Sequence, residues 1–458
     1  MTNTLTITNP ANGAKLVDVP ADDPASIVAK YARARAAQPA WAATPLAERK
    51  AAIARFRERV VVEREMLART LTSEVGKPVA QSRNELDGFL GRIDFFLAQV
   101  DKSTANEEVF ADASITERIG HDPLGVVANV SAWNYPYFVG GNVFVPALLT
   151  GNAVLYKPSE FATLTGLQIA RLLHASGIPQ DVFIAIVGGG AVGAALIEQP
   201  VDGVFFTGSA ATGAMIAAAV GARMIRLQLE LGGKDPTYVA DDADPTAAAE
   251  SLADGAMYNT GQSCCSVERI YVHERIHDAF VDAFLATVAG FKVGDPNDDT
   301  TYIGAITRAP QLDVLDAQIA DAKAKGAQVR TGGKRIDKAG RWFEPTVVTG
   351  ANHEMLLMRE ESFGPVIGIQ KVTGDDEAIA LMNDTRYGLT AGIFTRDRAR
   401  AERVLAKVNA GSVYWNCCDR VSPRLPWSGH GDSGVGVTLS TYGIQTFTRP
   451  KAWHLRKP

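Results

Sequence analysis

The chain has 458 residues, of which 46% are hydrophobic and 21% charged, and its formal net charge at pH 7 is −5. This length exceeds what one compact core usually holds, so we expect two large domains. The sequence contains no block of Lys and Arg and no run of about 18 apolar residues, which argues against a nucleic-acid partner and against a membrane span.

The four cysteines form two adjacent pairs, Cys264-Cys265 and Cys417-Cys418. They are too sparse for a disulfide framework and lack the spacing of zinc ligands, so we expect neither disulfides nor a metal site. Residues 1–6 lack the basic and apolar stretches of a signal peptide. Together these features predict a cytoplasmic protein.

In the first hundred residues, apolar side chains recur at helical spacing over residues 47–71 and 85–100, with a break at Gly76–Pro78. From Leu124 the pattern changes. Apolar runs at 125–132, 153–156, 182–187 and 204–207 alternate with helical stretches such as 164–175. This alternation predicts a parallel sheet covered by helices, with ligands at the carboxyl ends of its strands.

A second α/β series begins near Leu229 and continues to about residue 434. It includes predicted strands at 236–239 and 270–272 and helices at 247–257 and 276–291. Two alternating segments, 114–121 and 446–455, lie outside both series. They are predicted to be strands of a separate arm.

The segment Thr260–Cys265 is the first candidate for chemistry. Gly261 permits close backbone approach, and Cys264 can present a thiolate nucleophile beside backbone N–H donors that stabilise an oxyanion. The alternative is a buried cysteine that serves as a small hydrophobic side chain.

Two further residues carry the groups that such a nucleophile needs. Glu230 lies between two leucines and before paired glycines, where burial would raise its pKa toward that of a general base. Asn134 follows an apolar strand and offers an amide donor for the oxyanion. The alternatives are a solvated strand-end glutamate and an ordinary turn asparagine.

Nucleotide binding is indicated at the ends of two strands. Lys157 and Glu160 follow one strand, where a lysine can reach ribose or phosphate and a glutamate can accept both hydroxyls of a ribose. Gly208 and Ser209 end another strand and open the predicted helix 210–220, whose N-terminus suits a pyrophosphate. The alternative for both is a strand-end turn.

Taken together, these segments resemble the NAD(P)-dependent aldehyde dehydrogenase superfamily over nearly the whole chain. The resemblance is carried by motifs in the same order and at similar spacing: Asn9–Gly13, Glu74–Pro78, Trp133-Asn134, Lys157–Glu160, Phe206–Ser209, Leu229–Gly233, Gly261–Cys264, Glu361–Pro365 and Asn383–Gly388.

The resemblance implies a reaction in which Cys264 attacks an aldehyde to give a thiohemiacetal. Asn134 and the Cys264 N–H then hold the oxyanion, and Glu230 activates the water that hydrolyses the resulting thioester.

The resemblance also implies a set of cofactor contacts: Trp133, Lys157, Glu160, Gly208, Ser209, Glu361 and Phe363. Because the Glu160 carboxylate repels a 2′-phosphate, NAD is the expected cofactor, and NADP stays open. Cys265 is expected to be structural, since adjacent side chains diverge along a regular chain.

For the fold, the resemblance implies an α/β protein with a Rossmann-like cofactor domain, an α/β catalytic domain and a small β oligomerisation arm. The cofactor domain comprises residues 1–104 and 124–228, the catalytic domain 229–435, and the arm 105–123 and 436–458. An open strand edge seeks a partner, so a homodimer or homotetramer is expected.

The sequence departs from the family pattern at two places near the substrate. Many members carry a lysine where this chain has Val143, and residues 426–434 replace the usual C-terminal glycine motif. The physiological aldehyde therefore stays open, including a semialdehyde such as succinate semialdehyde, whose carboxylate Arg420 or Arg424 could pair with. Release of the acyl group to coenzyme A and a non-catalytic binding protein of the same fold are the remaining alternatives.

Overall fold

The computed structural model describes residues 4–457. Residues 1–3 of the predicted cofactor domain and residue 458 of the predicted arm lie outside the described residues. The N-terminal part is a hairpin followed by four helices: β1 (Thr4–Thr8), β2 (Lys15–Pro20), α1 (Pro24–Ala43), α2 (Leu46–Val62), α3 (Arg64–Val75) and α4 (Val79–Thr104). The hairpin was not predicted. The single helix predicted over 47–71 is wrong, because the helix breaks at Glu63, where φ is −99° and ψ is 10°. The predicted break at Gly76–Pro78 is confirmed.

The first α/β series begins after two strands of the predicted arm, β3 (Glu107–Ala111) and β4 (Ile115–Pro123). Its elements are β5 (Val126–Val130), α5 (Pro136–Leu149), β6 (Ala153–Lys157), α6 (Thr163–Ala175), β7 (Phe183–Ala185), α7 (Gly190–Glu198), β8 (Gly203–Thr207), α8 (Ala210–Val220) and β9 (Arg226–Glu230). Each predicted strand and helix of this series is present within a few residues of its expected bounds.

The second series extends from residue 235 to residue 415. Its elements are β10 (Asp235–Val239), α9 (Pro245–Met257), β11 (Val267–His273), α10 (His277–Ala289), α11 (Ala309–Ala324), β12 (Gln328–Thr331), β13 (Thr346–Thr349), α12 (Leu356–Arg359), β14 (Val366–Val372), α13 (Asp375–Asn383), β15 (Thr390–Phe394), α14 (Arg398–Leu405) and β16 (Ser412–Trp415). The chain ends with β17 (Gly434–Val435), α15 (Ser440–Gln445) and β18 (Thr448–Arg456).

Two large sheets organise these elements. The first has the strand order β17-β9-β8-β5-β6-β7, in which all neighbours are parallel except β17 and β9. The second has the order β12-β13-β14-β11-β10-β15-β16 and is parallel except for β12. The predicted α/β fold is therefore confirmed. Because β9 continues to Glu230, it crosses the predicted domain boundary after residue 228.

The arm segments form a third sheet with the order β18-β4-β3, as their alternating pattern predicted. β18 pairs with β4 along its whole length, from Thr448 opposite Pro123 to Arg456 opposite Ile115. Within residues 4–457, no helix combines the length and the apolar character that a membrane span requires.

The carboxyl ends of the central strands position the candidate residues. Lys157 is the last residue of β6, and Glu230 is the last residue of β9. Asn134 follows β5 by four residues, and Gly208 follows β8 directly. The first sheet thus gathers groups that are distant in sequence at one edge, as parallel topology requires.

Candidate active site

Cys264 lies in a turn between α9 and β11. Before it, Asn259, Thr260 and Gly261 adopt left-handed backbone conformations, with φ of 54°, 59° and 69°. A side chain at Gly261 would overlap the carbonyl of Gly364, so only glycine fits there. The N–H of Ser266 donates to the carbonyl of Ser263 at 3.2 Å, which makes the two cysteines the central residues of a turn. Cys264 is half-buried.

Cys265 lies deeper in the protein than Cys264. The Cys265 side chain is 6% exposed, and its Sγ donates to Asp419 Oδ1 at 2.9 Å. The neighbouring Cys264 thiol, followed by burial, raises the pKa of Cys265 well above its usual value. Cys265 therefore stays protonated, and Cys264 is the accessible thiol of the pair.

Asn134 is placed directly beside this turn. Its side chain is buried, and Nδ2 donates to the carbonyl of Gln262 at 3.2 Å, two residues before Cys264. One of the two amide hydrogens remains for a ligand. The Asn134 carbonyl accepts hydrogen bonds from Lys77 Nζ at 2.6 Å and from Asn259 Nδ2 at 3.3 Å. The asparagine is thus fixed from both sides.

A buried ion pair holds the loop that contains Asn134 through hydrogen bonds to its backbone. Lys77 and Glu85 are both fully buried, and the Lys77 Nζ lies 2.5 Å from Glu85 Oε2. The same Nζ lies 3.8 Å from the centre of the Tyr135 ring, and Glu85 Oε1 accepts from the Tyr137 N–H at 2.9 Å. Such a pair is held only because its remaining hydrogen-bonding positions are satisfied by the loop.

Glu230 is 5% exposed and is not a solvated strand end. Burial raises the pKa of its carboxyl to about 7. The hydroxyl of Thr438 donates to Glu230 Oε1, and this carboxyl makes no contact with the Cys264 thiol. A carboxyl with this pKa changes protonation state near neutral pH, which is the property that a general base needs.

The segment 426–434, which departs from the family pattern, holds the backbone of Thr438 through two hydrogen bonds. The Trp427 N–H donates to the Thr438 carbonyl at 2.8 Å, and the Thr438 N–H donates to the Trp427 carbonyl at 2.9 Å. The hydroxyl partner of Glu230 therefore depends on this segment.

Glu361 lies against the paired glycines that follow Glu230 and Leu231. Glu361 Oε1 accepts from the Gly233 N–H at 3.2 Å, and a side chain at Gly232 would overlap the Glu361 carboxylate. Burial raises the pKa of Glu361 to about 8. The Phe363 ring centre lies 5.5 Å from that of Trp133, so these two predicted residues meet edge to face.

A second buried Lys–Glu pair holds the Glu361–Phe363 loop. Lys234 Nζ contacts the carboxylate of Glu268 and donates to Ser362 Oγ at 3.0 Å. Glu268 also accepts from the N–H groups of Ser362, at 2.9 Å, and Phe363, at 3.1 Å. Both loops that line the site are therefore anchored to buried charges.

The remaining predicted residues lie toward α7 and α8. Lys157 is 4% exposed, and within residues 4–457 its Nζ makes one hydrogen bond, to the Pro158 carbonyl at 3.2 Å. Burial lowers the pKa of Lys157. Glu160 is half-buried and accepts from Ser159 Oγ at 3.2 Å. Ser209 is exposed and caps α8, and the Gly208 N–H donates to the Glu230 carbonyl at 3.0 Å.

The structure thus brings together Asn134 with the Cys264 turn, Glu361 with Gly232-Gly233, and Trp133 with Phe363. Neither the Glu230 carboxyl nor Lys157 contacts Cys264. The sequence reasoning missed Thr438, Glu268 and Glu85. The one local signal was available in α4, where Glu85 lies on the buried face of the helix, next to Leu86 and Phe89.

Comparison with known proteins identifies the family of the chain. A model of the aldehyde dehydrogenase family matches residues 1–453. The 3,6-anhydro-alpha-L-galactose dehydrogenase of Streptomyces coelicolor is 35% identical over 99% of this chain and 93% of its own length. A protein of Mycolicibacterium smegmatis named "putative succinate-semialdehyde dehydrogenase", with NADP+ in its name, is 36% identical over 95% of this chain and 86% of its own. The solved NAD-dependent aldehyde dehydrogenase of Sinorhizobium meliloti superposes with a TM-score of 0.96 at 32% identity, covering 100% of this chain and 92% of that one.

Proposed function

The chain belongs to the aldehyde dehydrogenase family, and from its site we infer that it oxidises an aldehyde to a carboxylic acid through a covalent intermediate on Cys264. The observation that carries this assignment is the turn at 263–266, which presents the half-buried Cys264 thiol beside the anchored Asn134 amide. A thiol nucleophile and a fixed amide donor are what acyl chemistry needs.

In the proposed first half-reaction, the Cys264 thiol gives its proton to solvent, the thiolate sulfur forms a bond to the aldehyde carbon, and the carbonyl π electrons move to oxygen. The Cys264 N–H and the free Asn134 amide hydrogen stabilise that oxyanion. When the C=O bond forms again, the carbon loses its hydrogen with the bonding electron pair, which leaves a thioester. A bound nicotinamide ring supplies the acceptor for that hydride.

In the second half-reaction, Glu230 takes a proton from water, and the hydroxide adds to the thioester carbon. The Cys264 thiolate leaves, and the carboxylic acid is released. The pKa of about 7 means that Glu230 is ionised in a growing fraction of molecules as the pH rises through neutrality. Hydrolysis of the thioester is therefore expected to accelerate from pH 6 to pH 8.

The residues toward α7 and α8 fit a dinucleotide. Lys157 is a buried ammonium with no carboxylate bonded to it among the described residues, so it keeps donors for a ribose or phosphate. The exposed Ser209 at the start of α8 suits a pyrophosphate. We assign the nicotinamide ribose to Glu361, and Phe363 and Trp133 to the ring end of the cleft. A cofactor domain that includes all of β9 follows as part of this proposal.

Glu160 is proposed to favour NAD over NADP. Glu160→Gln removes the charge and keeps the side-chain volume, so the repulsion of a 2′-phosphate disappears. The ratio of kcat/KM for NADP to that for NAD is expected to rise by about tenfold or more in steady-state assays. Glu198→Gln, at the end of α7, serves as a control for loss of a surface charge. An unchanged ratio in Glu160→Gln would remove this role.

A semialdehyde is a second candidate substrate class. The name of the relative from Mycolicibacterium smegmatis supports it, as does the position of Arg420 directly after Asp419, the residue that bonds Cys265 in the Cys264 turn. If Arg420 pairs with the substrate carboxylate, Arg420→Ala is expected to raise KM for succinate semialdehyde by about tenfold and to leave KM for butanal unchanged. Arg330→Ala, which removes an exposed arginine of the edge strand β12, is the matched control. Equal effects on both aldehydes would contradict this substrate class.

We also propose a homo-oligomer in the cytoplasm. The arm sheet exposes Phe110 and Leu455, and β16 is an open edge of the second sheet with Trp415 exposed. Open edges and apolar side chains of this kind are typical of subunit contacts. The four cysteines are free, in keeping with a reducing compartment. A native mass of two or four times 48.8 kDa is expected, and a single sharp species at 48.8 kDa would contradict it.

A further inference from the structure

The loop of Asn134 and the turn of the nucleophile are held by one face of α4. Gln81 and Glu85 lie one helical turn apart on that face, and both are buried. Gln81 Oε1 accepts from the Asn259 N–H at 2.9 Å, at the start of the nucleophile's turn. Glu85 binds Lys77, whose Nζ donates to the Asn134 carbonyl. The helix is therefore a common support for the proposed nucleophile and the proposed oxyanion donor.

Lys77 makes three contacts in this part of the structure. Its Nζ lies 2.5 Å from Glu85 Oε2, donates to the Asn134 carbonyl at 2.6 Å, and lies 3.8 Å from the centre of the Tyr135 ring. The Lys77 side chain is fully buried, so bulk solvent does not compete for these contacts. A hydrogen bond from a charged donor is about twice as strong as one from a neutral donor. The Asn134 carbonyl is therefore held more firmly than a neutral donor would hold it.

Glu85 fixes the other end of the same loop. The N-cap residue of α5 is Tyr135, whose side chain makes no capping hydrogen bond. Glu85 Oε1 takes that role and accepts from the Tyr137 N–H at 2.9 Å. A carboxylate at a helix N-terminus is also favoured by the helix dipole. The ion pair therefore holds residues 134–137 at both ends.

The direction of the Asn134 amide follows from these contacts. Two side-chain torsions separate the backbone of Asn134 from its amide group. Lys77 fixes the backbone at the carbonyl, and the bond from Nδ2 to the Gln262 carbonyl at 3.2 Å fixes one amide hydrogen. Because both hydrogens of an amide lie in one plane, the second hydrogen then has a set direction. A displacement of about 1 Å in such a group is enough to slow a reaction about 100-fold.

Resting on the oxyanion role of Asn134, we propose that Lys77 is a positioning residue for that amide. Lys77 is too deeply buried to touch the substrate, and it transfers no proton. Its ammonium group fixes the Asn134 carbonyl, so that the free amide hydrogen meets the oxyanion as it forms. Loss of this contact is expected to slow formation of the thioester and to leave the number of active sites unchanged.

The test uses Lys77→Met together with Glu85→Gln, in the Glu230→Gln background. Removal of Lys77 alone would leave a buried carboxylate unpaired, whereas Glu85→Gln removes that charge and keeps an acceptor for the Tyr137 N–H. NADH formation is followed by rapid mixing with saturating NAD and aldehyde. The amplitude counts the sites that form the thioester, and the rate constant reports how fast it forms. The amplitude is expected to match that of the Glu230→Gln parent, while the rate constant falls by about 100-fold.

A second set of variants in the same background shows whether Lys77 acts through Asn134. Asn134→Ala is expected to lower the rate constant by about 100-fold. Addition of Lys77→Met and Glu85→Gln to Asn134→Ala is expected to change it by less than about threefold, because the amide that they position is already gone. If the two effects instead multiply, Lys77 acts on another part of the site and the proposal is wrong.

Lys30→Met is the matched control. Lys30 also combines an ion pair with a backbone contact, since its Nζ lies 2.7 Å from Asp22 and donates to the Ala185 carbonyl at 2.8 Å. These contacts involve neither the Asn134 loop nor the nucleophile's turn, so the rate constant is expected to stay within about twofold of the parent value. A lower amplitude with an unchanged rate constant in the Lys77 variant would show that its ion pair serves stability alone, which would overturn the proposal.

Failure of the underlying function has a different signature. An unchanged rate constant in Asn134→Ala would remove the oxyanion role of Asn134, and the inference about Lys77 would fall with it. If Asn134→Ala is slow and the Lys77 variant keeps the parent rate constant, the oxyanion role stands and only the inference about Lys77 falls.

Discussion

Cys264→Ala is expected to abolish NADH formation with every aldehyde, lowering kcat/KM by more than about 1,000-fold. The reason is that hydride leaves a tetrahedral carbon that exists only after sulfur has added to the aldehyde. Without the thiol, the Asn134 amide and the bound cofactor face a trigonal carbonyl that cannot give up hydride. The measurement is NADH absorbance under steady-state conditions, with NAD binding checked separately by thermal shift.

Cys265→Ala is the control for this prediction. Its thiol is buried and bonded to Asp419, so its removal is expected to leave kcat/KM within about fivefold of the wild-type value. If Cys265→Ala abolishes turnover and Cys264→Ala keeps it, the two thiols have the opposite roles. Retention of turnover in both variants would mean that no cysteine of this turn is the nucleophile.

Glu230→Gln is expected to separate the two halves of the reaction. The amide cannot take a proton from water, so one equivalent of NADH forms per active site in a burst and the thioester then accumulates. The steady-state rate is expected to fall by about 100-fold or more, which is the usual size of a lost general base. Rapid mixing resolves the burst from the slow phase.

Glu74→Gln controls for a second buried glutamate with the same titration range. Burial raises the pKa of Glu74 to about 7 as well, but its carboxylate accepts from the N–H groups of Leu164 and Thr165 at the start of α6. Its replacement is expected to lower stability and to leave the ratio of burst to steady state unchanged. Recovery of turnover in Glu230→Gln on addition of coenzyme A would identify the thiol-acceptor alternative instead. An unchanged steady-state rate in Glu230→Gln would contradict the base role.

Much of the fold was accessible from local pattern. The helix predicted at 210–220 has the same bounds as α8, because the apolar pattern and the Ser209 cap both lie within a dozen residues. The parallel order of the first sheet followed from the alternation of strands and helices. The break between α2 and α3 was not accessible, since the apolar periodicity continues across Glu63 without a glycine or proline to mark it.

The site was only partly accessible for a related reason. Asn134 follows a strand, Glu230 ends a strand just before paired glycines, and Cys264 follows Gly261, so local motifs point to all three. Their supporting groups lie far away in sequence, as with Thr438, which bonds a residue 208 positions earlier. Such a contact exists only after the chain has folded.

The adjacent cysteines show how local geometry decides between roles. The turn at 263–266 leaves the Cys264 side chain half-buried and buries the Cys265 side chain. The distinction between them then rests on partners: Asp419 holds one thiol, and the other remains accessible. Sequence spacing alone does not contain that information.

The central claim is that the acyl group is carried by the Cys264 sulfur, and mass spectrometry tests it most directly. Glu230→Gln is mixed with NAD and an excess of aldehyde, quenched in acid after the burst, digested, and analysed by fragmentation of the peptide that contains both cysteines. One acyl group per chain is expected, attached to Cys264. An adduct on Cys265, or full NADH formation with an unmodified peptide, would contradict it.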